Sequence, residues 1–314
     1  MQQMDGLIPW SELEARIAPH YAQGSQGRPP YPLSVMLRVH CLQLFYNLSD
    51  PALEDALYEV ESMRRFAGVK LERVPDETTI LNFRHLLESH GLGKELFAAI
   101  NAHLASKGLM LRAGTILDAT IIAAPSSTKN QAAARDPEMH QTRKGKNWHF
   151  VRCAHPAARD RRHSRRPAAP SAPGGMKLHI GADDAVGLVH SVATTAANEA
   201  DINVADRLLH GAERQVWADA GYRGLDKRHP QRSVAWHIAL APGKRRALAP
   251  DDPRAVAERA QARVRAKVEH PFRYVKQVFG YAKVRYRGLA KNTNRLYVLL
   301  GLANLLIGRR YLLA

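Results

Sequence analysis

Cysteine is scarce, with two in 314 residues. Cys41 lies in an apolar helical run and Cys153 in a basic, proline-containing stretch, so no disulfide framework is available and both thiols are expected to be reduced. His149, His155 and His163 accompany Cys153, but a single thiol at that spacing matches no compact zinc finger. Long apolar runs are also missing. Nothing approaches the roughly 18 uninterrupted apolar residues of a membrane span, and Gln2 to Ile17 lacks the basic start and apolar core of a secretory signal. The expectation is a cytoplasmic protein with no membrane partner. Acids are in short supply: 29 Asp and Glu face 46 Lys and Arg, for a formal charge of +17. With a pI near 10.2, that imbalance is the footprint of a nucleic-acid binder, an anionic membrane surface being the competing partner.

A hydrophobic content of 45% lets the chain bury a substantial core, as one large domain with an accessory domain or as two domains. Residues 1 to about 110 read as helical, divided by turn signals at Gly27-Arg28-Pro29-Pro30, Ser49-Asp50-Pro51 and Pro75-Asp76-Glu77. Val35, Leu37, Val39, Leu42, Phe45 and Tyr46 give one helix a thick apolar face. Asp50 is expected to cap the next, with Pro51 in its first turn. Asp76 is expected to cap a third, whose Ile80, Phe83, Leu86 and Leu87 fall at helical spacing while Arg84 and His85 point elsewhere. A helix-turn-helix unit and a small bundle without DNA contacts both fit.

From Thr115 the pattern changes to α/β. Strand-like runs occupy Thr115 to Ala123, Met176 to Ala182, Gly187 to Thr194, Val216 to Asp219 and Val234 to Ala241. Asn198 to His210, with Ile202, Ala205, Leu208 and Leu209 on one face, predicts a crossover helix, and a mixed sheet follows. A closing helix, capped by Asn292 or Thr293, carries Leu296, Leu299, Leu300, Leu305 and Leu306 into the core. Val151 to Gly174, rich in Arg and Pro, cannot build a packed core and is expected to be a disordered loop. Lys129, Arg135, Arg143, Lys144 and Lys146 form either a DNA-tracking loop or a solvated charge run.

Three carboxylates stand where their surroundings would exclude one. Asp118 interrupts the apolar run Thr115 to Ile122, and Asp219 follows Val216-Trp217-Ala218, where a parallel strand would end. Glu269 sits in a helical stretch whose Val264, Val268, Val275 and Phe279 face inward, with Arg265, Arg273 and Lys276 near its face and His270-Pro271 expected to kink the helix just beyond it. A buried ionised carboxylate is costly unless paired or bound to a cation. Three in a strongly basic chain suggest divalent metal and phosphodiester chemistry. The competing readings are a strand-end ion pair for Asp118, a turn residue for Asp219 and a solvated ion pair for Glu269.

The order Asp118, Asp219, Glu269, with Asp219-Ala220-Gly221-Tyr222-Arg223 and Arg265-x3-Glu269-x6-Lys276, resembles the DDE transposases of bacterial insertion sequences. More narrowly, Gly27-Arg28-Pro29-Pro30-Tyr31-Pro32, Ser62-Met63-Arg64-Arg65-Phe66-Ala67-Gly68, Pro75-Asp76-Glu77-Thr78-Thr79-Ile80 and Phe83-Arg84-His85-Leu86-Leu87-Glu88 resemble the amino-terminal domain of the insertion sequence five group. The likeness spans nearly the whole chain. It implies an α/β fold, an RNase H-like mixed sheet flanked by helices, with an all-helical N-terminal DNA-binding domain over residues 1–110 and a catalytic domain over 111–314, interrupted by the basic insertion at about 151–174.

The resemblance further implies that Asp118, Asp219 and Glu269 hold two Mg2+ ions, with Mn2+ able to substitute. A pair of such ions roughly 3.5 to 4 Å apart serves the attacking and leaving oxygens of phosphoryl transfer. Arg265, Lys276, Tyr222 and Arg223 then fall at the DNA. The implied partners are terminal inverted repeats and target double-stranded DNA, and a homodimer that bridges two element ends. The chain departs from the group in two places: Val151 to Gly174 is inserted between Trp148-His149-Phe150 and Gly175-Met176-Lys177, and Ala262 stands where wider relatives carry Tyr. A DNA-binding remnant without catalysis, and an RNase H-like nuclease without strand transfer, are the alternatives.

Overall fold

The computed structural model describes residues 2–22, 29–110, 113–125, 136–140, 143–144, 147–148, 175–249 and 251–312. The expected loop at 151–174, with Cys153, His155 and His163, lies outside the described residues, as do His149, Lys129, Arg135 and Lys146.

The amino-terminal third is helical: α1 (Gln2–Leu7), α2 (Trp10–Ile17), α3 (Leu33–Phe45), α4 (Asp50–Glu59), α5 (Glu61–Ala67), α6 (Glu77–Ser89) and α7 (Leu92–Ser106). The Asp76 carboxylate caps α6 as expected, accepting the Thr79 N–H at 2.7 Å. The cap of α4 is Ser49, whose hydroxyl accepts the Ala52 N–H at 3.3 Å, and Asp50 is instead the first helical residue. Its carboxylate is taken by Arg84 at 2.9 Å and Gln43 at 2.6 Å. Arg84, expected off the packed face, is therefore buried, and it also pairs with Glu88 at 2.9 Å. Side-chain partners outside α4, one of them 34 residues away, hold Asp50 and leave the capping to its neighbour.

Five strands follow: β1 (Gly114–Ala123), then, beyond the short pair β2 (Arg143–Lys144) and β3 (Asn147–Trp148), β4 (Gly175–Asp183), β5 (Val189–Ala196), β6 (Gln215–Ala218) and β7 (Ala235–Ile238). The main sheet has the order β5-β4-β1-β6-β7. β4 is antiparallel to both β1 and β5, whereas β6 is parallel to β1 and β7 is parallel to β6, so the sheet is mixed and β1 is central. Its β-branched residues suit a strand covered on both sides.

The expected crossover helix is absent. Two 3₁₀ turns, Asp201–Asn203 and Ala205–Arg207, occupy that stretch. Of the expected face, Ala205 and Leu208 are buried and Ile202 and Leu209 partly so, while Val204, outside that face, is buried as well. The polar side chains around them are tied both within and outside the stretch: Asn203 donates to Glu199 at 2.7 Å and Asp201 accepts from Lys177 of β4 at 3.0 Å.

After α8 (Leu225–Arg228) and α9 (Pro242–Arg246), α10 (Pro253–Arg265) leads through a 3₁₀ turn at Ala266–Val268 into α11 (Glu269–Arg273) and a π-helical segment at Tyr274–Val278. Pro271 sits in the first turn of α11, where its missing N–H costs little. The irregularities lie before Glu269 and after Arg273, rather than just beyond Glu269 as His270-Pro271 suggested. The closing helix α12 (Leu289–Leu312) starts earlier than expected, so Asn292 and Thr293 lie inside it. Asn292 is buried and donates to the carbonyls of Tyr286 and Gly288 at 2.7 and 2.6 Å.

One face of the sheet presents Ile116, Ile122, Leu178 and Ile180 to Val268, Phe272 and Val275 and to Leu296 and Leu299 of α12. The same core continues without a break into Leu37, Leu92, Leu96 and Ile100 of the helical third. Each such side chain, fully buried, contributes about 1.5–3 kcal/mol. The contact between α7 and α12 is close: a Cβ at Gly93 would lie 2.3 Å from the Asn294 carbonyl oxygen. The opposite face carries a smaller cluster of Leu117, Val216, Ala218, Val204, Leu208, Tyr222 and Leu225.

Candidate active site

The site grows from the strand register. Leu117 of β1 pairs with Ala218 of β6 in a parallel ladder, so Asp118 and Asp219 are the next residues of two neighbouring strands. Across the other edge of β1, Asp118 faces Ile180 of β4. Side chains alternate along a strand, so Ile116, Asp118, Thr120 and Ile122 share one face. That face is the one covered by the segment carrying Glu269.

Burial pushes the Asp118 pKa up to about 6. The Ala119 N–H, donating to its Oδ1 at 2.7 Å, resists that rise, as does the charge of Arg265. The carboxylates of Asp219 and Glu269 reinforce it. The charges of Asp219 and Glu269, distant in sequence, therefore reach Asp118 in space, as does that of Arg265.

Asp219 directly follows β6 and caps the 3₁₀ turn Ala220–Tyr222, its Oδ1 accepting the Gly221 N–H at 2.8 Å. Glu269 opens α11 and is exposed. Among the described residues no three His, Cys, Asp or Glu side chains gather closely enough, as they stand, to hold a metal ion. Asp118 Oδ1 accepts the backbone N–H of the next residue within β1, and Asp219 Oδ1 accepts one just past the end of β6. As a donor set, the Asp118, Asp219 and Glu269 carboxylates suit a hard divalent cation, whose charge would offset the burial and the neighbouring acids that raise the Asp118 pKa.

The basic residues divide. Lys276 lies in the π-helical segment and its Nζ donates to Thr120 Oγ1 at 2.5 Å, two residues along β1 from Asp118. Arg265, at the end of α10, is half-buried, and Arg223 is exposed beside the Asp219 turn, donating to the Ala220 carbonyl at 3.3 Å. Tyr222, expected at the DNA, is fully buried in the smaller apolar cluster. The 3₁₀ turn capped by Asp219 carries Tyr222 into the interior, away from solvent. Trp217 and Trp236 pack as expected of strand residues, and Trp217 also donates to Asp184 at 3.1 Å and stacks on His237 with ring centres 3.8 Å apart.

Sequence reasoning missed a second polar group, Lys177, His179, Thr195 and Asp201, behind the Asp219 turn. Its signal was present in Met176-Lys177-Leu178-His179-Ile180, where every second residue of an otherwise apolar strand is a base.

No helix among the described residues is long and apolar enough to cross a membrane. No solved structure matches the chain. Two family profiles do: a transposase domain (DUF772) over residues 1–86 and a transposase DDE domain over residues 110–305. The second spans well over half of the sequence and coincides with the sheet and its flanking helices, an arrangement consistent with the RNase H-like fold of such enzymes. The acids, the fold that carries them and these two matches converge: the chain belongs to the DDE transposases.

Proposed function

We propose that the protein cuts DNA at the ends of an insertion sequence and joins the freed 3′ ends to a target, with Asp118, Asp219 and Glu269 as its catalytic acids. The observation that carries this reading is the Leu117–Ala218 register, which brings Asp118 beside Asp219, with Glu269 near enough for its charge to reach Asp118. Mg2+, or Mn2+ in its place, would be held by these acids and would supply charge neutralisation at the phosphodiester when bound.

The chain's own residues do the rest. Lys276 and Arg265, beside Asp118, hold phosphate oxygens next to the scissile bond, and exposed Arg223 extends that contact along the backbone. Buried Tyr222 supports the Asp219 turn from below and is not a covalent nucleophile. Water attacks in the first step and a DNA 3′-hydroxyl in the second, so no covalent protein intermediate forms. The short motifs shared with the insertion sequence five group support placing the chain there. Residues 1–110 serve as a DNA-binding unit for the inverted repeats, the remainder as the catalytic unit, and two copies bridge the two element ends in the cytoplasm at the nucleoid.

The test is cleavage of labelled element-end DNA by the purified protein with Mg2+ or Mn2+, followed by joining to a plasmid. Cleavage and joining, both lost on Asp118→Asn, are expected. Cleavage without joining would leave a nuclease, and binding without cleavage would leave a remnant.

A further inference from the structure

Behind the Asp219 turn lies the polar group that the three acids do not explain. Lys177 and His179 of β4 pair with Ile121 and Ala119 of β1, which sets them on the face opposite the Asp118 side chain. Lys177 Nζ donates to the Glu199 carbonyl at 2.6 Å and to the Asp201 carboxylate at 3.0 Å. His179 is fully buried. Its Nε2 shares a hydrogen bond with the Thr195 hydroxyl at 2.8 Å, while its Nδ1 makes no hydrogen bond and lies 3.8 Å from Asp201 Oδ1.

A second buried polar atom, the Tyr222 hydroxyl, also has no hydrogen-bond partner. Burial, then the charges of Asp201, Asp118 and Asp219, hold its pKa well above the usual range. A buried polar atom without a partner is unfavourable, so two of them close to the Asp201 carboxylate call for a reason.

Asp201 also borders the turn directly. A Cβ at Gly221 would lie 3.0 Å from Asp219 Oδ1 and 3.5 Å from Asp201 Oδ2, so the two carboxylates flank a single point. The turn that carries Asp201 is strapped to the chain after Asp219. Arg228 donates to the Ile202 carbonyl at 3.1 Å and to Asn203 Oδ1 at 3.3 Å, and His229 bonds Asp206 at 2.6 Å.

We propose that Asp201 is a positioning residue for Asp219: clamped by Lys177, it braces the Asp219–Tyr222 turn from behind and keeps the Asp219 carboxylate directed at the cleft shared with Asp118 and Glu269. This inference rests on the reading of those three acids as cation ligands.

The experiment measures Mn2+ binding to the full-length protein without DNA, by calorimetry, alongside thermal melting. Residues that orient ligands typically change metal affinity about 10–100-fold. Asp201→Asn and Lys177→Gln are each expected to weaken Mn2+ binding by that factor while melting close to the parent, and Lys177→Arg is expected to retain parental affinity. Parental affinity in Asp201→Asn, with binding lost in Asp219→Asn, overturns the positioning role and leaves the acid reading intact. Parental affinity in Asp219→Asn overturns the acid reading itself. Should Asp201→Asn fail to fold, Lys177→Gln decides: weakened binding supports the brace and unchanged binding removes it.

Discussion

Lys276 reaches from the π-helical segment to the Thr120 hydroxyl, two residues from Asp118, and so ties the helix that follows Glu269 to the strand that carries the first acid. π-helical turns recur at functional sites because they redirect a side chain without breaking the helix. If Lys276 holds one phosphate, Lys276→Met reduces the slope of log affinity against log salt by about one. Filter binding of element-end DNA across a salt series measures it. An unchanged slope would remove Lys276 from the interface.

Asp118 predicts a stability profile of unusual sign. Its folded pKa of about 6 lies above the unfolded value of a carboxylate. The folded state therefore binds the proton more tightly, and stability falls as pH rises from about 4 to about 6. The penalty, at most roughly 3 kcal/mol by that shift, is fully present above pH 6. In chelator, Asp118→Asn is expected to be more stable than the parent at pH 8 and to lose cleavage. Urea denaturation at pH 5 and pH 8 checks the first point, and equal stability of parent and variant at pH 8 would refute it.

Arg84 separates two carboxylates, Asp50 and Glu88, each at 2.9 Å. Removing one partner of a buried pair leaves an uncompensated charge, so Arg84→Met is expected to cost about 3–5 kcal/mol. Denaturant titration reads this directly, and a loss below 1 kcal/mol would mean that the site rehydrates.

Asn47 sits at a left-handed φ of 52°. Its amide donates to the Gly280 carbonyl at 2.8 Å, and its oxygens accept from Arg285 and Arg295. It thereby pins the end of α3 to the loop after Lys276. Asn47→Ala, which loses both the bonds and the backbone tolerance, is expected to cost about 2 kcal/mol or more, with Asn47→Gly less damaging. Thermal melts of the two variants compare them, and equal losses would exclude backbone strain as a cause.

Much of this was legible beforehand because local pattern and final environment agree. The alternation around Asp118, the strand end at Asp219 and the cap at Asp76 each depend on neighbours within a few residues. The failures have a common cause in distant partners. Asp50 lost the cap to Ser49 because Arg84 claimed its carboxylate, and in 198–210 the Asp201 carboxylate is claimed by Lys177 of β4. Tyr222 is expected at the DNA from the resemblance alone, and only the tertiary course of the turn after Asp219 puts it inside. Lys177 and Asp201 meet across 24 positions, a pairing that no helical or strand period announces.

The core shared between the early helices and α12 has a consequence for synthesis. A nascent chain that has already emitted α7 and β1 still lacks the apolar partners supplied by Leu296 and Leu299, and must wait with that surface uncovered until translation is nearly done. A product stopped short of residue 289 is thus expected to be handed to proteases rather than to persist as a fragment that occupies DNA without cutting it.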